Sequence, residues 1–245
     1  MASTTALIGL GSNVGDRRGH LDRALASLAA IPGIELLAAS DLRATDPVGG
    51  PSGQGRFLNA AARLAVDPAI DPRSLLAILH RIEADAGRVR VARWGERTLD
   101  LDLLLFGDRI LDSPDLTLPH PRFAVRRFVL GPLAEVAPEV VDPLSSRTVA
   151  GLLANLDRRP SLLALDGRSD LLTPILRSSL PDDWIVLPDA PSLAPTFVAS
   201  LPGGRSHSSS STGSHAGRVV LRLEGDDLQS IAREILAACE ASRSG

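Results

Sequence analysis

The segment at residues 98–106 reads Thr-Leu-Asp-Leu-Asp-Leu-Leu-Leu-Phe. Apolar side chains occupy both alternating sets of positions along it, which predicts a central β-strand buried on both faces. Asp100 and Asp102 are two residues apart, so their carboxylates project from one face of this strand, roughly 6–7 Å apart. Because unpaired buried carboxylates are costly, the pair indicates a metal site.

The residues just before this strand form a polar, arginine-rich segment. Residues 87–97 read Gly-Arg-Val-Arg-Val-Ala-Arg-Trp-Gly-Glu-Arg, and its glycines predict a mobile loop on which Trp94 supplies a stacking or lid surface. Guanidinium groups bind phosphate oxygens in a bidentate manner, and magnesium takes one or two carboxylates together with substrate phosphates. Loop and strand together predict a magnesium–ATP site. The alternative is a solvated arginine loop followed by two surface aspartates on an edge strand, which the apolar flanks of the strand disfavour.

The hydrophobic pattern on either side of this stretch predicts the order β-α-β-β-α-β. The expected strands lie at residues 4–10, 34–43, 57–66 and 98–106, and the expected helices at residues 20–31 and 71–86. This is the order of an α+β, ferredoxin-like sandwich with an antiparallel sheet. Two further helices are expected toward the end of residues 121–136 and at residues 149–156.

A glycine motif at residues 8–15, Ile-Gly-Leu-Gly-Ser-Asn-Val-Gly, follows the first strand. It imitates a dinucleotide-binding fingerprint, and Asp41 imitates the acid expected downstream. The second and third strands are consecutive, however, so a parallel β-α-β sheet is not supported. We therefore interpret the glycines as a tight turn that brings the backbone close to a ligand.

The chain changes character after residue 157, where prolines become frequent. We expect a first domain at residues 1–157 and a C-terminal α/β extension of unknown fold at residues 158–245. Within the extension, the Gly/Ser/His-rich residues 203–217 predict a flexible stretch, in which two histidines are interpreted as solvated rather than metal-bound. A strand is expected at residues 218–223 and a helix at residues 227–241. The extension is interpreted as an interaction or regulatory segment rather than a second enzyme.

Composition excludes several classes of function. All 26 basic residues besides histidine are arginine, which excludes a P-loop lysine and Schiff-base chemistry. A net charge of −3 and 3% aromatic residues disfavour a nucleic-acid-binding module. The sequence contains neither an apolar run long enough to span a membrane nor a signal-peptide pattern. With Cys239 as the single cysteine, a cytoplasmic protein is expected.

Two residues near the arginine-rich loop leave alternatives open on the residues alone. Glu83 would orient an arginine or a nucleotide, or be an ordinary surface glutamate. His120 lies between two prolines, which suits a rigid phosphate or proton contact, although a single histidine is more often structural. Arg126 and Arg127 add positive charge nearby.

Motifs spread over residues 4–157 resemble the 6-hydroxymethyl-7,8-dihydropterin pyrophosphokinase family. The matching pieces are Gly-Ser-Asn at 11–13, Thr-Asp-Pro-Val-Gly at 45–49, Phe-Leu-Asn-Ala at 57–60, Arg-Ile-Glu at 81–83, Gly-Arg-Val-Arg at 87–90, Arg-Trp-Gly-Glu-Arg-Thr-Leu-Asp-Leu-Asp at 93–102, Pro-His-Pro-Arg at 119–122 and Arg-Arg-Phe-Val-Leu-Gly-Pro-Leu at 126–133. The resemblance implies a ferredoxin-like fold and transfer of the β,γ-pyrophosphoryl unit of ATP to the pterin hydroxymethyl oxygen, with release of AMP.

The resemblance also implies a role for each matching position. It places two Mg²⁺ ions on Asp100 and Asp102, and it assigns catalysis to these aspartates with Arg88, Arg90 and Arg93. The pterin site comprises Val48, Gly49, Phe57, Asn59 and Phe128. The ATP site comprises Glu83, Arg88, Arg93, Trp94, Arg97, Leu103, Thr117, His120 and Arg126. The expected partners are the small molecules ATP and 6-hydroxymethyl-7,8-dihydropterin, without nucleic acid or membrane, and a monomer is expected.

The chain departs from the family pattern at two points in this region. Residues 90–93 form a segment one residue shorter than in some relatives. A phenylalanine, Phe57, stands where the pterin stack can contain a tyrosine; it keeps the stacking surface but loses a hydroxyl. Residues 158–245 match nothing in the family.

Overall fold

A computed structural model describes residues 2–48, 51, 53–88, 95–166, 169–187, 196–201, 220–223 and 227–244. Several sequence predictions fall outside these residues and stay predictions, namely those for Gly49, Arg90, Arg93, Trp94 and residues 203–217.

The first part of the chain forms an α+β unit with an antiparallel sheet. Its elements, in chain order, are β1 (Thr4–Ser12), α1 (Arg17–Ala29), β2 (Ile34–Ala39), β3 (Arg43–Thr45), β4 (Phe57–Val66), α2 (Pro72–Asp85), β5 (Asp100–Phe106), β6 (Leu111–Asp112), β7 (Thr117–Leu118), a 3-10 turn (Phe123–Val125), α3 (Arg127–Val136), β8 (Val141–Asp142), β9 (Arg147–Thr148) and α4 (Val149–Asp157). The strand predicted at residues 57–66 is confirmed with the same bounds, and the helices predicted in this region are present with shifts at their ends.

The sheet has the strand order β2-β4-β1-β5, and β3 also pairs with β4. All of these pairs are antiparallel. One face packs against α1 and α2 through a cluster that includes Leu21, Leu28, Leu75 and Leu79. The other face packs against α3, α4 and the 3-10 turn. A clear start signal explains α2: Asp71 accepts a hydrogen bond from the Ser74 N–H at 2.7 Å and Pro72 occupies the first turn.

Three predictions about the strands were wrong. The single strand expected at residues 34–43 is two strands, β2 and β3, because Ser40 interrupts it and its hydroxyl accepts the Ala61 N–H at 2.9 Å. Strand β5 is not central but lies at the edge of the sheet. Both faces of β5 carry apolar residues because helices pack against both faces of the sheet. Only one edge of β5 pairs with another strand of this sheet. The tight turn predicted for the glycine motif is wrong for Gly9 and Gly11, because both residues belong to strand β1.

The C-terminal region forms a second, parallel sheet. Its elements are β10 (Ser161–Asp166), α5 (Ser169–Ser179), β11 (Trp184–Leu187), β12 (Phe197–Ser200), β13 (Val220–Arg222) and α6 (Leu228–Ala241). The strands have the order β11-β10-β12-β13, and each described pair is parallel. Buried residues of α5, α6 and these strands share one apolar cluster with α3 and α4. No helix in the described residues is long and apolar enough to cross a membrane.

Candidate active site

The part of β1 that contains glycines forms the floor of a cleft. Gly9 pairs with Asp102 and Gly11 pairs with Asp100 across the β1–β5 ladder. Gly11 also pairs with Asn59 on β4, so a row of three strands presents Asn59, Gly11 and Asp100 side by side. Because the central position has no side chain, the amide on one strand and the carboxylate on the other border a common open space. The cleft encloses about 1050 Å³ including its open mouth.

The residues lining this cleft include most of those predicted for the pterin and metal positions. These are Val48, Phe57, Asn59, Phe128, Asp100 and Asp102, and two residues predicted for the ATP site, Arg97 and Arg126, line the cleft as well. The structure therefore brings together side chains from four separate segments of the chain.

Asp100 lies in a network of ion pairs on the cleft wall. Its carboxylate pairs with Arg88 at 2.7 Å and with Arg97. Arg88 also pairs with Glu83, whose carboxylate accepts the backbone N–H of Leu101 at 2.8 Å. Glu83 is 3% exposed, so it is not an ordinary surface residue: it orients an arginine and covers the open edge of β5.

Burial dominates the electrostatics of the cleft. Burial raises the pKa of the Asp100 carboxyl, and Asp102 raises it further, whereas Arg97 and Arg88 oppose the shift. Burial also lowers the pKa of the Arg126 guanidinium, an effect that Asp102 opposes. The guanidinium carbon of Arg126 lies 5.7 Å from the ring centroid of Phe128, so Arg126 connects the carboxylates with the aromatic side of the cleft.

Two asparagines fix the loops around the cleft. The side-chain Oδ1 of Asn13 accepts a hydrogen bond from the backbone N–H of Arg97 at 2.7 Å. The backbone N–H of Asn13 donates to the carbonyl of Arg97 at 3.0 Å. The Asn59 amide donates to the Thr45 hydroxyl at 2.8 Å, which fixes its orientation at the cleft. Neither Asn13 nor Thr45 was predicted for the site, although both lie within segments that carry the family resemblance.

The remaining predicted residues lie along the outer edge of β5. The Leu103 side chain is 3% exposed and packs in the core, so its backbone is the part that can contact a ligand. Leu103 is two residues beyond Leu101 and presents its backbone groups to the same edge. Thr117 lies on β7, which contacts β5, and the His120 N–H donates to the carbonyl of Leu104 at 2.9 Å.

His120 is neutral over the usual working range of pH. Burial lowers its pKa to about 3, and Arg126 and Arg122 contribute to the same shift. The His120 Nδ1 accepts the backbone N–H of Arg122 at 3.2 Å, so the neutral ring carries its proton on Nε2. His120 can therefore donate a hydrogen bond but does not supply a positive charge.

The lowered pKa of His120 predicts a pH dependence of folding stability. Between pH 6.5 and about 3, the unfolded chain binds a proton at this residue that the folded chain does not. The free energy of unfolding from this residue therefore rises with pH, by about 1.4 kcal/mol per pH unit. We expect His120→Gln to reduce the slope of the free energy of unfolding against pH, measured by urea unfolding between pH 4 and 6.5. His20→Gln, which removes an imidazole from α1, is the matched substitution with which this slope is compared. A slope equal to that of the parent in His120→Gln would contradict the buried, neutral ring.

The fold and the cleft together define the class: an α+β protein whose ligand cleft is lined by carboxylates, arginines and two aromatic rings. A profile of 7,8-dihydro-6-hydroxymethylpterin-pyrophosphokinase (HPPK) matches residues 7–138. The chain therefore belongs to the HPPK family.

Curated relatives share the matching region at substantial identity. The chain is 43% identical over 152 residues to the 2-amino-4-hydroxy-6-hydroxymethyldihydropteridine pyrophosphokinase of Synechocystis sp., covering 62% of this chain and 76% of that protein. It is 45% identical over 147 residues to the protein of the same name from Pseudomonas aeruginosa, covering 60% and 88%. Among solved structures, Plasmodium falciparum HPPK-DHPS matches with a TM-score of 0.48 and 12% identity, covering 82% of this chain and 63% of that one, a likeness too distant to add to the argument.

Proposed function

We propose that this protein is a 2-amino-4-hydroxy-6-hydroxymethyldihydropteridine pyrophosphokinase. It transfers the β,γ-pyrophosphoryl group of ATP to the hydroxymethyl oxygen of 6-hydroxymethyl-7,8-dihydropterin and releases AMP, in folate biosynthesis. Membership of the HPPK family supports the activity. The single structural observation that carries it is the row of Asn59, Gly11 and Asp100, which puts an amide and a carboxylate on either side of one open floor.

The pterin is proposed to occupy the aromatic side of the cleft. Phe57 and Phe128 line this side, and flat rings stack favourably on such side chains. Asn59 is held by Thr45, so its carbonyl oxygen can accept hydrogen bonds from the pterin edge. Val48 also lines this side, and the adjoining Gly49 completes the proposed set.

Two Mg²⁺ ions are proposed on Asp100 and Asp102. The residues fit this use, because the carboxylates project from one face of β5 opposite two glycines and Mg²⁺ favours one or two carboxylates plus phosphate oxygens. Among the described residues there is no group of three or more acidic, histidine or cysteine side chains that could hold a metal by itself, so phosphates complete the coordination. The ions would neutralise charge on the phosphates.

The arginines are proposed to bind the polyphosphate. Arg88 and Arg97 are already held at Asp100, which lines the cleft together with Arg97, and their guanidinium groups can turn to phosphate oxygens. Arg126 lies between the carboxylates and the pterin side, where charge develops during transfer. Arg90, Arg93 and Trp94 belong to the same proposed set. Catalysis then rests on positioning and charge neutralisation.

The adenine side of ATP is proposed to lie at the outer edge of β5. Leu103 offers backbone groups there, and Thr117 and His120 are its neighbours. In the transfer step the hydroxymethyl oxygen bonds to the β-phosphorus, the bond from that phosphorus to the oxygen shared with the α-phosphate breaks, and the hydroxyl proton passes to solvent.

We also propose a fold for each part of the chain, an oligomeric state and a cellular location. The strand order β2-β4-β1-β5 supports a ferredoxin-like plan for the first domain. The separate parallel sheet supports a C-terminal α/β extension from residue 158. We propose that the protein is a cytoplasmic monomer whose ligands are ATP and the pterin, without nucleic acid or membrane.

A direct assay tests the activity. With purified protein, ATP, Mg²⁺ and 6-hydroxymethyl-7,8-dihydropterin, we expect AMP to form in a one-to-one ratio with the pterin diphosphate. Both products are separated by ion-exchange chromatography, and reactions lacking the pterin or containing a chelator serve as controls. Formation of ADP in place of AMP would exclude pyrophosphoryl transfer.

A further inference from the structure

One wall of the cleft comes from the C-terminal extension, the part of the chain outside the HPPK match. Glu234, Ala237, Ala238 and Ala241 of α6 all line the cleft. Their spacing of i, i+3, i+4 and i+7 places them on one face of the helix. Three small side chains and one carboxylate therefore face the same space as Phe128 and the aspartates of β5.

Several contacts hold α6 in this position. Ile231 and Ile235 are buried in the core that the extension shares with α3 and α4. At the start of α6, Asp227 accepts the Ser230 N–H at 2.9 Å and so caps the helix. At its other end, Arg127 on α3 donates to the carbonyl of Ser242 at 3.2 Å. The cap defines where the helix begins, and the helix is fixed to the rest of the protein along its apolar face and at its C-terminal end.

Glu234 makes an ion pair with Arg122, and both residues line the cleft. Its carboxylate accepts a hydrogen bond from Arg122 at 2.8 Å, and the two side chains are 15% and 25% exposed. Arg122 and Arg126 both line the cleft, and the positive charge of Arg122 lowers the pKa of Arg126 and of His120. Glu234 therefore holds the Arg122 guanidinium beside the buried guanidinium of Arg126. Without the negative charge of Glu234, the two positive charges would repel each other.

We propose that α6 is a wall of the substrate cleft and that Glu234 is a positioning residue that holds Arg122 beside Arg126. The alanines leave room for the flat pterin ring next to Phe128, and the ion pair fixes the positive charge that the transferred phosphates meet. This inference rests on the proposed pyrophosphokinase activity. It makes the extension a part of the site instead of a separate regulatory segment.

The first test enlarges one side chain of this wall. Ala237→Leu fills cleft space, so we expect it to raise the KM and the Kd for the pterin by about tenfold, with the KM for ATP changed less than threefold. Glu240→Leu is the matched control, because residue 240 is exposed on the same helix. Pterin binding is measured by calorimetry with the full chain, alongside AMP formation and thermal unfolding.

The second test removes the charge of the positioning residue. Glu234→Gln is expected to lower kcat about tenfold, with the KM for pterin nearly unchanged, and Glu234→Asp to recover part of the loss. Glu240→Gln removes the same charge from the exposed face and should match the parent. In a double-mutant cycle, Arg122→Gln should cost less when Glu234→Gln is already present.

The results of these tests distinguish a wrong role for α6 from a wrong enzymatic activity. If the parent forms AMP and binds pterin while Ala237→Leu and Glu234→Gln behave like their controls at residue 240, the role of α6 is wrong and the activity stands. If the parent neither forms AMP nor binds pterin, both the activity and the role of α6 are wrong.

Discussion

The Asp102→Asn variant is expected to have kcat/KM for AMP formation lowered on the order of 10²- to 10³-fold. Asparagine keeps the size and shape of aspartate but removes its charge and replaces one acceptor oxygen by an NH2 donor. Asp102 faces the cleft opposite Gly9, and its charge counters the effect of burial on Arg126. Loss of this charge is expected to weaken the proposed Mg²⁺ binding and to remove a negative charge that favours the charged form of the buried Arg126. The loss is measured from initial rates over a range of Mg²⁺ concentrations, where a rise in the Mg²⁺ needed for half-maximal rate is also expected.

A neighbouring aspartate provides the control for this variant. Asp108 is exposed just beyond the end of β5, so Asp108→Asn removes the same charge without touching the cleft. Its rate and its thermal midpoint should match those of the parent. If Asp102→Asn retained a rate close to that of Asp108→Asn, Asp102 would not be a metal ligand. Asp100→Asn is a less specific test, since it also breaks the ion pairs to Arg88 and Arg97.

Local patterns in the sequence predicted elements better than they predicted how these elements pair. The segment that forms β4 and the N-cap of α2 carry strong local signals, an apolar run and Asp71 followed by Pro72. The apolar pattern of β5 reports burial of its two faces but carries no information on its edges, so an edge strand was interpreted as central. In the extension, one strand and α6 were predicted, whereas the other strands of the parallel sheet were missed, although β11 carries the apolar run Trp-Ile-Val-Leu.

The same limit applies to the candidate site. Phe57, Asn59 and the aspartates were identified through motifs, and the fold brings them to one cleft. The contribution of α6 could not be found this way, because Arg122 and Glu234 are 112 residues apart in the chain. Alanines on a helix also resemble ordinary helix formers, and only their place against the cleft gives them a role.

Gly9 and Gly11 illustrate how a correct signal led to a wrong structure. Glycine weakens the interior of a strand, so the sequence favoured a turn. The observed pairing shows that both lie in β1 and face the aspartates. The two glycines therefore leave space for a ligand above the sheet because they have no side chains. Neither glycine is needed here for an unusual backbone conformation.

The Gly11→Val variant is expected to lose at least about 10²-fold in kcat/KM for the pterin. A Cβ at this position would lie 3.4 Å from Oδ1 of Asn59, 3.8 Å from Cβ of Asp100 and 3.9 Å from the Phe57 ring. These are ordinary contacts, so the β-carbon fits, and the two methyl groups of valine then occupy the floor of the cleft. Valine favours strands more than glycine does, so β1 should form at least as readily. Loss of activity with an unchanged or raised thermal midpoint would therefore identify blocked space as the cause.

A graded pair of variants separates blocked space from damage to the sheet. Gly11→Ala adds the β-carbon alone and should give a loss intermediate between the parent and Gly11→Val, mainly in the KM and Kd for pterin. Gly131→Ala on α3 adds a β-carbon that would meet only the Arg43 guanidinium, at 3.4 Å or more, and should keep the parent activity. If Gly11→Val bound pterin as tightly as Gly131→Ala does, the floor between Asn59 and Asp100 would not be the substrate site. The ordering of the variants matters more than any single rate, because damage to the sheet would lower the thermal midpoint along with the activity, whereas filling a preformed space lowers binding alone.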